Sequence, residues 1–492
     1  MSDTDRADDA PLDWLIRGGT VIDGTKAPRF DADVGIAGGR IVALGAPGSL
    51  DGRVAREVLD ARGRIVAPGF IDSHTHDDRA VQTHPDMAFK VSQGVTTVIT
   101  GNCGISVAPM RPGMPQPSPL DLMQVTPEEG PADFEAYFQA LRREPSAVNV
   151  GALVGHTTLR AHTMAALDRA ATTEEVRAMQ QLVRAALDAG VLGLSTGTYY
   201  PPAAAATPEE IIEVARPLTG TGAVYATHMR TESHGITEAI DETLRIGREL
   251  DCRVVISHHK VMPRANWGRS VQTLKQIGDA MACQCVSLDC YPYVAGSTMI
   301  RTDPEMLSGR VIIVTSVPHP ECNGRDLADI AAEWGVAPEV AAARLQPGSA
   351  IYFTMDEADV QRILAFEPSM IGSDGIPLGD KPHPRLWGTF PRVLGHYSRR
   401  LNLFPLETAV WKMSGLTARN FGLADRGTLA VGQAADVVVF DPDRIIDRAT
   451  FEDPAQPAEG IDAVLVNGVP AWRDGRTTGQ RAGRPLRRAG AR

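Results

Sequence analysis

The sequence predicts an α/β protein: a (β/α)8 barrel of the TIM type, with a small β-sandwich domain built from both chain ends and a lid inserted after the seventh barrel strand. Three observations carry that expectation. Eight short apolar runs alternate with helical segments through the middle of the chain, as buried parallel strands do. Glycine-punctuated β texture recurs at the two ends. One interval, between the seventh and eighth runs, is too long for a single crossover helix.

From Trp14 to Val66 the chain reads "WLIRGGTVIDG", "ADVGIAGGRIVALG" and "REVLDARGRIVAPG", alternating apolar residues interrupted by Gly pairs that mark tight turns. Near the other end, "GTLAVGQAADVVVFDPD" and "DAVLVNGVPAW" share this texture. Segments 8–66 and 424–482 are therefore expected to pair as one small β domain, leaving 67–423 as the barrel. Its strands are expected at "GFIDSHTH", "TTVITGNC", "NVGALVGH", "VLGLSTG", "AVYATHM", "RVVISHHK", "VSLDCYPY" and "SMIGSD". Between them, "TTEEVRAMQQLVRAALDAG" has a Thr/Glu start and stops on Gly190. "TPEEIIEVARPLTG" offers Thr207 as N-cap with Pro208 at the first helical position. The interval of about 294–349 is expected to lie over the C-terminal face of the barrel, where a lid belongs. The Ala/Arg/Gly-rich segment after Gln480 reads as a loose terminus.

Composition removes several function classes. With 49 Lys+Arg against 60 Asp+Glu the net charge is −11, which opposes a nucleic-acid partner because phosphate contacts need a basic surface. No stretch approaches the roughly 20 apolar residues of a membrane span, so no membrane partner is expected. The segment from Met1 to Asp13 is acidic and polar, unlike a secretory signal. Six cysteines stand at no disulfide-framework spacing, which predicts a reduced cytoplasmic protein with free thiols. A special cysteine would then be a ligand or a nucleophile. The Cys283-Gln284-Cys285 pair lacks the Cys-x-x-Cys spacing of a redox motif. Oligomeric state has no signature in the chain.

The chemistry-bearing residues fall at strand ends, where barrel enzymes keep their sites. Strand one ends on His74-Thr75-His76, whose two imidazoles share one side of a strand. Strand two ends at Cys103, strand five at His228, strand six at His258 or His259, and strand eight at Asp374. Thiolate, imidazole and carboxylate converging on one mouth form a ligand list suited to zinc. Each of these residues alone has an ordinary structural explanation; their joint placement favours the metal site. Adjacent side chains on a strand face opposite ways, so only one of His258 and His259 can turn into the mouth. His258 is the better choice, with Lys260 on the same face and His259 outward. His156 and His383 read as structural histidines.

"APGFIDSHTHDD", "TTVITGNCG", "YATHMR", "ISHHK", "DCYPYVAGST" and "MIGSDG…HPRLWGTFPRVLGHYSR" together resemble the N-acyl-D-amino-acid deacylases of the amidohydrolase superfamily, over nearly the whole chain. The Gly-Asn-Cys-Gly element is the most specific part. The resemblance implies a tight zinc on Cys103, His228 and His258, and a second, weaker metal position at His74 and His76 with Cys103 able to bridge. It makes Asp374 the catalytic aspartate, and Tyr200, Lys260, Tyr291, Ser297 and Arg385 the substrate contacts. The substrate it implies is a small N-acyl-D-amino acid, and the D preference rests on the resemblance alone.

Asp374 would take a proton from the attacking water and return it to the leaving amine. Either His74 or the metal would stabilise the tetrahedral oxyanion. Met299 and Ile300 suggest an apolar pocket for Leu, Met or Phe side chains. Arg301 follows them; turned inward it would favour N-acyl-D-Glu or N-acyl-D-Asp, and a solvent-facing position is the preferred reading. A cyclic-amide hydrolase of the dihydroorotase or hydantoinase type is the rival on the same barrel, weakened by Cys103 standing where those relatives carry a modified lysine. A non-enzymatic barrel scaffold is opposed by the intact ligand list.

Overall fold

A computed structural model describes residues 11–488. Residues 8–10 of the expected β domain and the last four residues of the tail lie outside the described residues.

Eight parallel strands run in chain order around the barrel: Phe70–Asp72, Val95–Thr100, Asn149–Gly155, Gly193–Gly197, Val224–His228, Arg253–Ile256, Val286–Cys290 and Ser369–Ile371. All but the first residue of the sixth strand are buried, which is why these runs are continuously apolar rather than alternating. The first and last strands meet through a parallel bridge between Thr75 and Gly375, with the Asp374 N–H donating to the His74 carbonyl at 2.8 Å. Closure thus occurs at the two segments that carry His74, His76 and Asp374. The helix Thr173–Ala189 begins with a capping box, Thr172 and Glu175 each accepting from the other's N–H, and ends on Gly190 in the left-handed region. Thr207 caps Pro208–Ala215 as expected.

The chain ends form one continuous nine-stranded sheet. Its two halves join where Ile65–Pro68 pairs antiparallel with Val437–Phe440. The long first strand, Leu12–Val21, forks the sheet: its first half pairs in parallel with Ala55–Asp60 and its second half with Ile65–Pro68. Residues of both halves, among them Trp14, Ile36, Val437 and Leu465, share one core.

Between the seventh and eighth barrel strands, a three-stranded antiparallel sheet (Gly296–Met299, Val311–Ser316, Gly348–Tyr352) carries the helices Leu327–Trp334 and Pro338–Leu345. It has its own apolar cluster, which includes Ile300, Met306, Tyr352 and Met355.

The tail after Gln480 is not loose, and here the sequence reading needs correction. Gly483 N–H donates to the Ser146 carbonyl (2.9 Å), Leu486 N–H to Val150 (2.8 Å) and Arg488 N–H to Gly190 (2.9 Å), while Val150 N–H donates back to Arg484 (3.0 Å). A side chain at 483 would place its Cβ 1.9 Å from the Val148 carbonyl oxygen, so this approach requires glycine. The Ala/Arg/Gly-rich composition hid a backbone pairing whose partners the barrel supplies. Removing residues 481–492 loses these bonds and uncovers Leu486, which is expected to cost on the order of 3 kcal/mol. Chemical denaturation of the truncated chain measures this, and an unchanged midpoint would show that the tail contributes nothing.

Candidate metal centre and substrate pocket

The turns that follow the barrel strands aim the donor atoms. Cys103 (φ 55°), His258 (φ 36°) and Asp374 (φ 49°) all adopt left-handed backbone, which costs a non-glycine residue about 1–3 kcal/mol each. Three such residues at one mouth are held there by their surroundings. Asp289, inside the seventh strand, accepts from the His258 N–H at 2.8 Å and lies 3.3 Å from His74 Nδ1. His74 Nε2 is thereby turned toward Cys103 Sγ, 3.2 Å away, and His258 Nε2 lies 3.3 Å from the same sulfur. One ligand atom each from His74, Cys103, His258 and Asp374 lies within 4.8 Å of the others, and a second such group joins His228, Glu232 and His258. The His228 ring stands 4.3 Å from that of His258. His76 reaches the cluster through Asp374, Nε2 to Oδ1 3.3 Å.

Their electrostatics fit a cation. Burial alone would raise the Cys103 thiol, but His74 and His258 overcome it and hold the group well below its ordinary value. Burial would raise Asp374 too, yet the Arg385 guanidinium and the imidazoles hold its carboxyl well below the usual carboxylate range. Burial would lower His76, but Asp374 and Cys103 together more than offset it, leaving it at about 9. His228 is pushed down, first by burial and then by His258, and both its ring nitrogens are buried without a hydrogen-bond partner. A thiol and a carboxyl held low beside buried imidazoles form the kind of donor set that binds a borderline-soft divalent metal.

The five expected substrate contacts surround this cluster. Arg385 is wholly buried, its Nη1 2.9 Å from Asp374 Oδ2 and its Nη2 donating to the Ser297 carbonyl at 3.0 Å. The guanidinium lies over the Tyr291 ring, 4.6 Å from its centre, and the Tyr291 hydroxyl is buried with no partner. Tyr200 and the lid meet through a 3.1 Å contact between its hydroxyl and Thr298 Oγ1. Lys260 donates to Glu232 at 2.6 Å and stands 2.8 Å from His258 Nδ1. Tyr200, Lys260, Tyr291, Ser297 and Asp374 all line one pocket.

Several sequence readings change. Met262, Met306 and Tyr352 give the pocket its apolar wall, in place of Met299 and Ile300. Ile300 is instead buried in the lid's own core. Arg301 is half-buried rather than turned fully to solvent: it stacks over Tyr199 at 4.8 Å, and its Nε donates to Asp303 at 2.9 Å. His259 turns outward to Thr273 (2.9 Å), with burial lowering it to about 4. His156 faces Glu210 at 3.3 Å. His383 supports the site from behind, its Nδ1 accepting from the Arg385 N–H at 3.0 Å. Sequence reasoning missed Glu232 and Asp289. Asp289 had a signal, being a carboxylate inside an otherwise buried strand; Glu232, in the turn after His228, had none.

The amidohydrolase family model matches residues 57–283 and 320–471, which take in the second half of the lid and all the barrel strands except the seventh. A D-aminoacylase of Alcaligenes xylosoxydans xylosoxydans is 57% identical over 99% of this chain and 100% of its own. The chain belongs to the D-aminoacylase branch of the amidohydrolase family. The N-acyl-D-aspartate deacylase of the same organism is 51% identical over 99% of this chain and 97% of its own. The N-acyl-D-glutamate deacylase of Bordetella bronchiseptica, solved with zinc and a phosphonate that mimics the reaction's tetrahedral intermediate, superimposes with a TM-score of 0.93 at 47% identity, covering 97% of this chain and 100% of that one. Among amidohydrolases, then, this chain stands beside an enzyme named D-aminoacylase and enzymes named for N-acyl-D-aspartate and N-acyl-D-glutamate. No helix among the described residues is long and apolar enough to cross a membrane.

Proposed function

We propose that this amidohydrolase cleaves N-acyl-D-amino acids with neutral, apolar side chains to a carboxylate and a free D-amino acid, with zinc as its metal. The observation that carries the side-chain reading is the pocket wall of Met262, Met306 and Tyr352 beside a neutralised Arg301. An acidic side chain would meet methionine there, and the nearby guanidinium is already engaged by Asp303 and the Tyr199 ring. Full-length likeness to a D-aminoacylase supports the reaction class. Free cysteines at all six positions support a reducing, cytoplasmic location.

Cys103, His228 and His258 would hold the tight zinc, and His74, His76 and Cys103 a weaker second metal. Bound there, the metal would supply a lowered pKa for water and polarisation of the acyl oxygen. The chain's own residues do the rest. Arg385 holds Asp374 Oδ2, which leaves Oδ1, facing His76 Nε2 at 3.3 Å, as the oxygen that would accept the proton of the attacking water. Collapse of the tetrahedral carbon breaks its bond to nitrogen, and the proton held by Asp374 passes to that nitrogen, which leaves as a neutral amine. Tyr291, with its unpartnered hydroxyl, and Lys260 would receive the substrate carboxylate. The catalytic unit is the 67–423 barrel.

Separate incubation with N-acetyl-D-methionine, N-acetyl-L-methionine and N-acetyl-D-glutamate, with chiral detection of product, tests the reading. Release of D-methionine is expected, abolished by chelation and restored by zinc. Turnover of N-acetyl-D-glutamate is expected to be slower; the reverse preference would overturn the neutral assignment. Turnover of the L isomer at the same rate would overturn the handedness.

A further inference from the structure

We propose that Glu232 is a positioning residue that fixes the hydrogen on His258 and thereby retains the metal; this rests on the zinc-dependent reading above. Glu232 sits four residues after His228, 1% exposed, and its carboxylate lies between three groups of the site. Oε1 is 2.6 Å from Lys260 Nζ and 3.2 Å from His258 Nδ1, and Oε2 is 3.7 Å from His228 Nε2.

The chemistry of one imidazole makes the argument. Nε2 of His258 points at Cys103 Sγ, 3.3 Å away, so Nε2 is the atom that would face the metal. A neutral imidazole that offers its Nε2 lone pair carries its hydrogen on Nδ1. That N–H needs an acceptor, because the group is buried. Among the described residues, two side chains reach Nδ1. Lys260, at 2.8 Å, is an ammonium with donors alone and cannot take the hydrogen. Glu232, at 3.2 Å, has acceptors alone and can. Ligation through Nε2 therefore selects the Glu232 contact over the Lys260 contact.

Glu232 is a poor metal ligand in its own right, although it clusters with His228 and His258. Its Oε1 already accepts from an ammonium, and a divalent cation on the same oxygen would sit against that positive charge. The pairing has a second consequence. Glu232 is the buried counter-charge that anchors the Lys260 ammonium, 2.6 Å away, at the pocket wall where a substrate carboxylate arrives. One carboxylate thus serves the metal through His258 and the substrate through Lys260.

Replacing Glu232 by Leu and by Gln separates the two roles. Zinc affinity is measured by competition with a chromogenic chelator, which needs no substrate, and circular dichroism of the metal-free proteins confirms that both variants fold. Glu232→Leu removes the acceptor and is expected to weaken zinc binding 10–100-fold, as loss of an outer partner to a ligating histidine does. Glu232→Gln keeps a carbonyl oxygen for Nδ1–H and is expected to hold zinc far better than Leu does, while its KM for N-acetyl-D-methionine rises because Lys260 loses its counter-charge. A folded Glu232→Leu that binds zinc as tightly as the parent overturns the inference. So does a Gln variant no better than Leu. A parent chain that binds no zinc would overturn the functional reading and this inference with it; the two failures are distinguished by the parent alone. If Glu232→Leu does not fold, the Gln variant decides: zinc affinity near the parent's supports the inference, and a 10–100-fold loss overturns it.

Discussion

Asp374→Asn is expected to lower kcat by a factor on the order of 10²–10⁴ while the protein keeps its zinc. The amide matches the carboxylate in shape, so the left-handed turn and the His74 backbone contact survive. What disappears is the ability to accept a proton at Oδ1 and return it to the departing nitrogen. Single-turnover assays with zinc content measured on the same sample check this; a variant that retains most of its activity would remove Asp374 from the mechanism. Arg385→Met offers a companion test with a definite sign. The guanidinium is the foremost of the charges that hold the Asp374 carboxyl low. A depressed pKa keeps the base form present down to low pH, so removing Arg385 raises that pKa and moves the acid limb of kcat/KM to higher pH. An acid limb that stays in place would mean that Asp374 is not the group being titrated.

Lys90→Met is expected to destabilise the barrel by about 3–5 kcal/mol, although Lys90 touches neither the pocket nor a donor atom. Its ammonium is wholly buried, 2.7 Å from Asp72 and 3.2 Å from Asp77, and it donates to Ser373 Oγ at 2.9 Å. Asp72 in turn accepts from the Ser373 N–H at 2.7 Å. Lys90 therefore ties the end of the first barrel strand to the end of the eighth, at the seam where the barrel closes. Burial would lower this lysine, but Asp72 and Asp77 together raise it, and burial lifts Asp77 to about 6. Methionine fills the space and leaves two carboxylates without a counter-charge. Denaturant unfolding reads the loss; a change under about 1 kcal/mol, the scale of an exposed pair, would show that the network is not holding the seam. Because Ser373 precedes Asp374, the folded fraction of this variant is also expected to turn over more slowly.

The parts of the fold legible in the sequence were those with local signals. Eight strands showed as apolar runs because a parallel barrel buries both faces of each strand, leaving no alternation to confuse with an edge. Helix ends showed where capping chemistry is local, as at Thr172, Thr207 and Gly190. The two-residue period of a strand predicted that only one of His258 and His259 faces the mouth; both lie in the turn after the strand Arg253–Ile256, and it is the left-handed backbone at His258 and the contact of His259 with Thr273 that separate them. The docked tail was illegible because its partners, Ser146, Val150 and Gly190, lie hundreds of residues away and offer only backbone.

What the sequence by itself determined was the list of donor atoms and the barrel frame that brings them to one mouth, since strand order and strand ends follow from local patterning. Only the tertiary structure decided the pairings: Arg385 with Asp374, Glu232 with Lys260 and His258, Asp289 with His74, and Arg301 with Asp303 and Tyr199 rather than with solvent. The reason is physical. Type and spacing show that a charge exists, but in a buried site the neighbouring charge fixes what it does, and that neighbour arrives from a distant part of the chain.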